Sequence, residues 1–126
     1  MSARSAIILF AHGARDPKWA SPFQRIQSLV SESSPDIAVE LAFLERMTPD
    51  LPTAVARVTQ AGVQRVTVIP LFLGAGGHVK EDLGGMIEEL KRKYPALQFH
   101  VTSPIGEDDE LVAAIAGWVV RQHRQK

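Results

Sequence analysis

The sequence predicts a three-layer α/β fold, in which a four-stranded parallel sheet of strand order 2-1-3-4 carries helices on both faces. Three observations support this prediction. Four strand-like segments alternate with four helix-like segments along the chain, a pattern typical of parallel sheets. The first segment, 5–11, is continuously apolar, as in a strand that is covered on both faces. The connections are short, and short right-handed crossovers favour this strand order.

The strands are recognised by their apolar residues and by the turn residues that bound them. The third apolar run continues as far as Leu73, but Pro70 lies inside it, and proline cannot donate to a central ladder. We therefore end the regular strand near Ile69 and expect the segment 70–73 to leave the sheet toward the functional site. The last strand alternates apolar and polar residues, which is typical of an exposed edge. The predicted strands are 5–11, 37–43, 65–69 and 97–102.

The helices are recognised by their start signals and by apolar residues at helical spacing. Asp16-Pro17 and the segment 48–50 each combine a capping side chain with a proline, which is a typical helix start. Gly62 stands where a helix commonly ends. We predict helices at 18–33, 51–61, 79–93 and 107–123. The last helix is expected to bury the residues Leu111, Val112, Ile115 and Val119.

Composition limits the possible functions. The 126 residues predict a single domain, 1–126. Fourteen basic residues balance fourteen acidic ones, so no strong positive field is available for nucleic acid. The chain has no cysteine, which leaves only nitrogen and oxygen ligands for a metal ion. No apolar run approaches the roughly 18 residues of a membrane span, and we expect a cytoplasmic protein.

Three potential metal ligands follow the first three strands. His12 follows strand one, Glu45 follows strand two and His78 follows strand three. In open parallel sheets, ligands bind beyond the carboxyl ends of the strands, where the strand order reverses. Imidazole and carboxylate groups bind divalent transition ions, and imidazole also takes up protons near neutral pH. The sequence therefore predicts a shared metal or proton-transfer site at this edge.

A glycine-rich run, 74–77, precedes His78 and permits a second interpretation. A glycine-rich loop that opens a helix can bind phosphate through its backbone amides. The run matches neither of the common nucleotide-binding motifs. A phosphate-binding, flavodoxin-like module is therefore the weaker alternative, and Gly76 and Gly77 instead allow a bulky ligand to approach the backbone.

At these residues the chain resembles the class II tetrapyrrole chelatases. It is most similar to the short, single-domain form of the sirohydrochlorin cobaltochelatase family (CbiX type). The matching segments are 12–17, 40–45 before Thr48-Pro49, and 68–73 leading into 76–82. They occur in the order found in the family and span residues 7–83.

The resemblance implies a chelatase-like variant of the flavodoxin-like fold and a chelatase (lyase) activity. The reaction would be ATP-independent insertion of a divalent metal into sirohydrochlorin, in cobalamin or sirohaem-type biosynthesis. Cobalt is the first candidate, nickel and iron are the others, and no nucleotide is expected. The family's metal-site histidines correspond to His12 and His78, and its acidic partner corresponds to Glu45. The resemblance also implies a homodimer. A non-catalytic carrier of metal or tetrapyrrole is the alternative.

Basic side chains near the predicted crevice are candidates for binding the acidic substituents of a tetrapyrrole. By position these are Arg15, Arg46 and Lys80. Arginine suits this task because its guanidinium group binds a carboxylate through two parallel hydrogen bonds. The sequence leaves open the physiological metal, the exact tetrapyrrole and the residue that accepts the pyrrole proton.

Overall fold

A four-stranded parallel sheet forms the centre of the protein. The computed structural model describes residues 4–125. The strands are β1 (Ser5–Ala11), β2 (Ala38–Phe43), β3 (Arg65–Pro70) and β4 (Gln98–Val101). Their spatial order is β2-β1-β3-β4 and every pair is parallel, which confirms the predicted topology.

The third strand runs one residue further than expected, because proline is tolerated at its last position. Pro70 lies opposite Phe10 of β1. The next ladder bond is donated by the backbone of Leu71, whose N–H lies 2.8 Å from the Phe10 carbonyl oxygen. The missing proline N–H therefore leaves the pairing with β1 intact.

Four α-helices connect and follow the strands. They are α1 (Ser21–Ser33), α2 (Leu51–Gln60), α3 (Gly77–Lys93) and α4 (Asp109–Arg124). Short 3-10 turns at Pro17–Ala20 and Ile105–Glu107 precede α1 and α4. The predicted cap of α2 is confirmed, because the Asp50 side chain accepts from the Thr53 backbone N–H. Asp16 also accepts from the Lys18 backbone N–H, but it caps the 3-10 turn, and α1 itself begins three residues later than predicted, at Ser21.

Two apolar clusters hold helices against opposite faces of the sheet. On one face, α2 and α3 pack against β1 and β3, and on the other α1 packs against β1 and β2. The fully buried Phe10 and Ile8 are central to the first cluster, and the buried Leu9 and Leu41 are central to the second. Because these helices cover the strands on both faces, the carboxyl ends of the strands are held in a fixed arrangement.

The prediction that α4 buries an apolar stripe is wrong. No residue of α4 is buried, and its large apolar side chains are 43–55% exposed. These are Leu111, Val112, Ile115, Trp118, Val119 and Val120. The main neighbour of α4 is the short turn before it. Helical periodicity identifies an apolar face but does not show which surface covers it, and residues 4–125 of one chain do not supply that surface.

Within residues 4–125, no helix is both long and apolar enough to cross a bilayer.

Candidate metal and substrate site

The loops after β1 and β2 remain paired beyond the ends of the strands. The Leu44 N–H donates to the Ala11 carbonyl at 2.9 Å, and the Glu45 N–H donates to the His12 carbonyl at 3.1 Å. These two bonds continue the ladder between Ala11 and Phe43, the last registered pair of the strands. The backbone itself therefore brings His12 and Glu45 side by side.

The side chains of His12 and Glu45 are in direct contact. Nε2 of His12 lies 3.0 Å from Oε1 of Glu45, and both side chains are about half exposed. A carboxylate can only accept hydrogen bonds, so Nε2 is the donor in this contact. The carboxylate of Glu45 thereby orients the imidazole ring of His12.

An aromatic side chain supports the imidazole from the third strand. The ring of Phe72 lies edge-on to His12 at a centroid distance of 6.4 Å, and on its other side it contacts the buried Phe10 at 5.9 Å. Phe72 belongs to the apolar segment that follows β3, which confirms the prediction that this segment turns toward the site.

His78 lies apart from this pair. It is the second residue of α3, and its side chain is 88% exposed, with Nε2 3.6 Å from Oδ2 of Asp82 one turn later. In the part of the chain that the structure describes, no group of three or more His, Asp or Glu side chains could together hold a metal ion. The structure therefore joins His12 with Glu45 and leaves His78 open to solvent.

The three basic candidates have different surroundings. Arg46 adopts a left-handed backbone conformation (φ 66°), and its Nε lies 3.6 Å from Oε2 of Glu45. Lys80 instead forms an ion pair with Glu107, after β4. Arg15 is exposed. Only Arg46 is thus brought into contact with the His12–Glu45 pair.

Gly76 and Gly77 open the helix that carries His78. Gly76 is the N-cap residue of α3, and a Cβ added at either position would meet no atom within 4 Å apart from its chain neighbours and its own helix backbone. The space beside this backbone is therefore open to a ligand.

The candidate site does not coincide with the larger of two cavities in the protein. A cavity of about 780 Å³ lies at the amino ends of β3 and β4, lined in part by Arg65, Lys93 and Tyr94. A smaller cavity of about 300 Å³ lies beside Phe72 and α3. The smaller cavity is next to the candidate site because it is lined by Phe72, which contacts His12, and it lies at the carboxyl ends of the strands, where parallel sheets bind ligands.

Sequence comparison assigns the chain to a family. The CbiX family model matches residues 6–121. The chain belongs to the CbiX family. A sirohydrochlorin cobaltochelatase of Priestia megaterium is 32% identical over 105 residues, which are 83% of this chain and 34% of that protein. The chain thus spans about a third of the length of that curated relative.

Two solved structures share the fold. A CbiX protein of Marinobacter aquaeolei VT8 superimposes with a TM-score of 0.84 at 34% identity, covering 97% of this chain and 99% of the other. The sirohydrochlorin chelatase SirB of Bacillus subtilis subspecies spizizenii, solved in complex with cobalt, gives a TM-score of 0.78 at 26% identity, covering 90% of this chain and 49% of the other.

Sequence reasoning missed the structural role of Gly13 in this CbiX domain. Gly13 has φ +94°, and a Cβ built on it would lie 1.9 Å from the carbonyl oxygen of Glu45. Only glycine allows the two loops to approach this closely. The His12-Gly13 pair is visible in the sequence, but the neighbour of Gly13 comes from a different βα unit.

A second close approach holds the loop after β3 and was also missed. A Cβ on Gly106 would lie 1.7 Å from the Leu73 carbonyl oxygen, and the Gly106 N–H donates to the Phe72 carbonyl at 3.0 Å. Leu73 itself is 64% exposed, so it presents an apolar side chain next to Phe72. No signal in the sequence links Gly106 to this loop.

Proposed function

We propose that this CbiX-family chain inserts a divalent metal ion into sirohydrochlorin without ATP. The curated relatives include proteins named sirohydrochlorin cobaltochelatase and, in Bacillus subtilis, sirohydrochlorin ferrochelatase, so cobalt and iron are the first metals to test and nickel is the third. The observation that carries the proposal is the His12–Glu45 pair, which lies at the carboxyl ends of two neighbouring strands.

The spacing of this pair suits two ligands of one ion. Nitrogen and carboxylate ligands lie about 2.1 Å from a divalent transition metal, and two such ligands at a right angle are about 3.0 Å apart. Nε2 of His12 and Oε1 of Glu45 are separated by 3.0 Å. An ion could therefore take the place of the bridging hydrogen, with the two side chains turned toward it.

The exposed His78 is proposed to complete the site. Insertion exchanges two pyrrole N–H protons for the metal ion, so a proton acceptor must lie beside the macrocycle. His78 has an 88% exposed side chain that is paired with the Asp82 carboxylate, which leaves the ring accessible to a bound substrate. We assign to it proton acceptance, or ligation of the ion during transfer.

The substrate would lie across the carboxyl ends of β1 and β3. Apolar contact would come from the exposed Leu73, next to the buried Phe72, and the open backbone at Gly76 and Gly77 would allow close approach. Arg46 and the exposed Arg15 would bind acidic substituents, and Lys80 would do so after releasing Glu107. We also propose that the active form is a homodimer.

A spectroscopic time course tests the activity. Sirohydrochlorin and Co²⁺ are mixed without oxygen, with wild-type protein, with His12→Ala or with the control His100→Ala, which removes an exposed histidine from β4. We expect wild type and control to accelerate insertion through many turnovers and His12→Ala to be reduced at least about 100-fold, as for loss of a group that acts in the reaction. Binding of Co²⁺ or sirohydrochlorin with no turnover would instead identify a carrier. Full activity of His12→Ala would remove this histidine from the mechanism.

A further inference from the structure

The part of the chain that carries His78 receives little support from the core. We call residues 73–82 the His78 segment. No residue of this segment is buried, whereas Phe72 before it and Leu83 after it are. Two of its apolar side chains reach the first apolar cluster, and both are only partly buried. Segments with few buried contacts are easily displaced, so the position of His78 depends on what holds the segment from outside.

The short turn at Ile105–Glu107 contacts the chain at two points around His78. Just before the His78 segment, the Gly106 N–H donates to the Phe72 carbonyl oxygen at 3.0 Å. Further along, the Glu107 carboxylate pairs with Lys80 in the first turn of α3. The turn that follows β4 therefore restrains the segment on both sides of the histidine.

Gly106 contacts the loop after β3 with its backbone alone. A Cβ on Gly106 would lie 1.7 Å from the Leu73 carbonyl oxygen, 2.5 Å from the carbonyl carbon and 2.8 Å from Cα of Leu73. Backbone atoms cannot rotate away as a side chain does, so any side chain at this position must displace the loop or the turn. Among the described residues, the glycines with positive φ are Gly13 and Gly62. Glycine is therefore needed at position 106 for close approach and not for an unusual conformation.

We propose that Gly106 is a positioning residue for metal insertion, which acts by fixing the His78 segment against the turn after β4. The inference rests on the proposed function, because it takes from it the transfer step at His78. The Glu107–Lys80 pair is about half exposed, and exposed ion pairs contribute little. Lys80 is also proposed to release Glu107 when substrate binds. The backbone contact at Gly106 does not depend on that exchange, so it is the contact that persists during the reaction.

Displacing the His78 segment should impair transfer and spare metal binding. His12 and Glu45 are brought together by hydrogen bonds between the loops after β1 and β2, and Gly106 lies in neither loop. Misplacing a reacting group by about 1 Å can slow a reaction by about 100-fold. The loss should therefore appear in kcat, while the affinity for Co²⁺ is retained. A role in folding alone would not separate these two quantities.

Insertion kinetics of Gly106→Ala test the proposal. We expect kcat and kcat/KM for sirohydrochlorin to fall together by at least about 10-fold, as when an interaction made only in the transition state is lost. The affinity for Co²⁺ alone, measured by titration calorimetry, should stay within about 2-fold of wild type, because the two sites are separate. The matched control is Gly85→Ala in α3, whose added carbon meets no atom within 4 Å apart from its chain neighbours and its own helix backbone. It should retain the wild-type kcat.

A second variant tests the same contact if Gly106→Ala does not fold. Pro104 caps the turn with φ −56°, and Pro104→Gly loosens the turn without placing an atom against Leu73. We expect the same pattern with a smaller loss in kcat, of about 3-fold, as for the added freedom of one glycine. Its control is Pro35→Gly, which makes the same exchange at an exposed position before β2 and should leave kcat unchanged.

A spectroscopic measurement follows the position of His78 without relying on turnover. The nuclear magnetic resonance signals of its ring protons should shift in Gly106→Ala and stay in place in Gly85→Ala. Unmoved signals in Gly106→Ala, wild-type kcat in that variant, or a parallel loss of kcat and Co²⁺ affinity would overturn the positioning role alone. Absence of turnover in wild type would instead overturn the proposed function, and this inference with it.

Discussion

His12 and Glu45 are 33 positions apart in the chain, yet their side chains lie 3.0 Å apart. The cause is local and physical: the ladder between β1 and β2 continues for two more backbone hydrogen bonds after the strands end. The spacing of one βα unit could be used to predict that these residues share an edge of the sheet. The contact between Gly13 and the Glu45 carbonyl could not be predicted, because it depends on the path of a loop with no sequence signature.

The carboxylate of Glu45 is expected to be needed for metal binding. Glu45→Gln retains an oxygen that can accept from His12 but loses the charge that attracts a divalent ion. We expect the affinity for Co²⁺, measured by titration calorimetry without tetrapyrrole, to fall at least about 10-fold, the lower end of the losses seen when the carboxylate partner of a metal-bound histidine is removed. The control Glu89→Gln alters an exposed residue of α3. Equal affinities in the two variants would contradict the role of Glu45.

Gly13 is expected to be the most sensitive glycine of the site. Gly13→Ala adds a methyl group 1.9 Å from the Glu45 carbonyl oxygen at φ +94°, so it should lower the free energy of unfolding by about 2 kcal/mol or more. Gly84→Ala in α3 is the matched control, because the added carbon meets no atom within 4 Å apart from its chain neighbours and its own helix backbone. It should be stabilising by about 0.5–1 kcal/mol. Urea unfolding measures both, and similar midpoints for the two variants would refute the close approach at Gly13.

At the scale of elements, start signals were better predictors than burial patterns. The aspartate caps at Asp16 and Asp50 both form the hydrogen bonds that their positions suggest. In α3, Leu83, Ile87 and Leu90 form an apolar stripe that is buried. The stripe of α4 has the same spacing but no cover. A cap depends on residues a few positions away, whereas burial of a stripe depends on a surface that can belong to another chain.

The cap of α2 gives a pH-dependent prediction. The side-chain and backbone hydrogen bonds from Thr53 lower the pKa of Asp50 below its ordinary value of 3.8. A lowered folded-state pKa means that the ionised cap contributes stability above about pH 4, and that this contribution is lost as the pH falls through the folded value. Asp50→Ala should therefore cost about 1 kcal/mol at pH 7 and less near pH 3. Urea unfolding at both pH values checks this, with Asp50→Asn retaining much of the cap. A constant difference across this range would contradict the ionised cap.

At the scale of the whole molecule, the alternation of elements was sufficient to predict the sheet and its order, because parallel strands and right-handed crossovers leave few arrangements. The same topology placed three potential ligands at one edge. It did not determine their convergence: His12 and Glu45 meet, while His78 stays on the exposed first turn of α3. The ends of the strands determine which residues lie near one another, whereas the positions of the helix starts and the side-chain rotamers determine the final distances between the ligands.

Binding of free metal should stabilise the whole domain in the order expected for nitrogen and oxygen ligands. An ion that binds only the folded state adds about 2.7 kcal/mol at a concentration one hundred times its Kd. For a domain of this size that corresponds to a rise of about 10 °C in Tm. Differential scanning calorimetry should show this rise with Co²⁺ and Ni²⁺ and a smaller one with Fe²⁺ at equal concentration, following the affinity series. Mg²⁺ prefers several water ligands and octahedral oxygen sites, so it should leave the Tm unchanged.

The rise in Tm should vanish in His12→Ala and persist in His100→Ala, because the first variant removes half of the preformed pair and the second alters an edge strand. A full shift in His12→Ala, or an equal shift with Mg²⁺, would mean that the ions bind elsewhere on the chain.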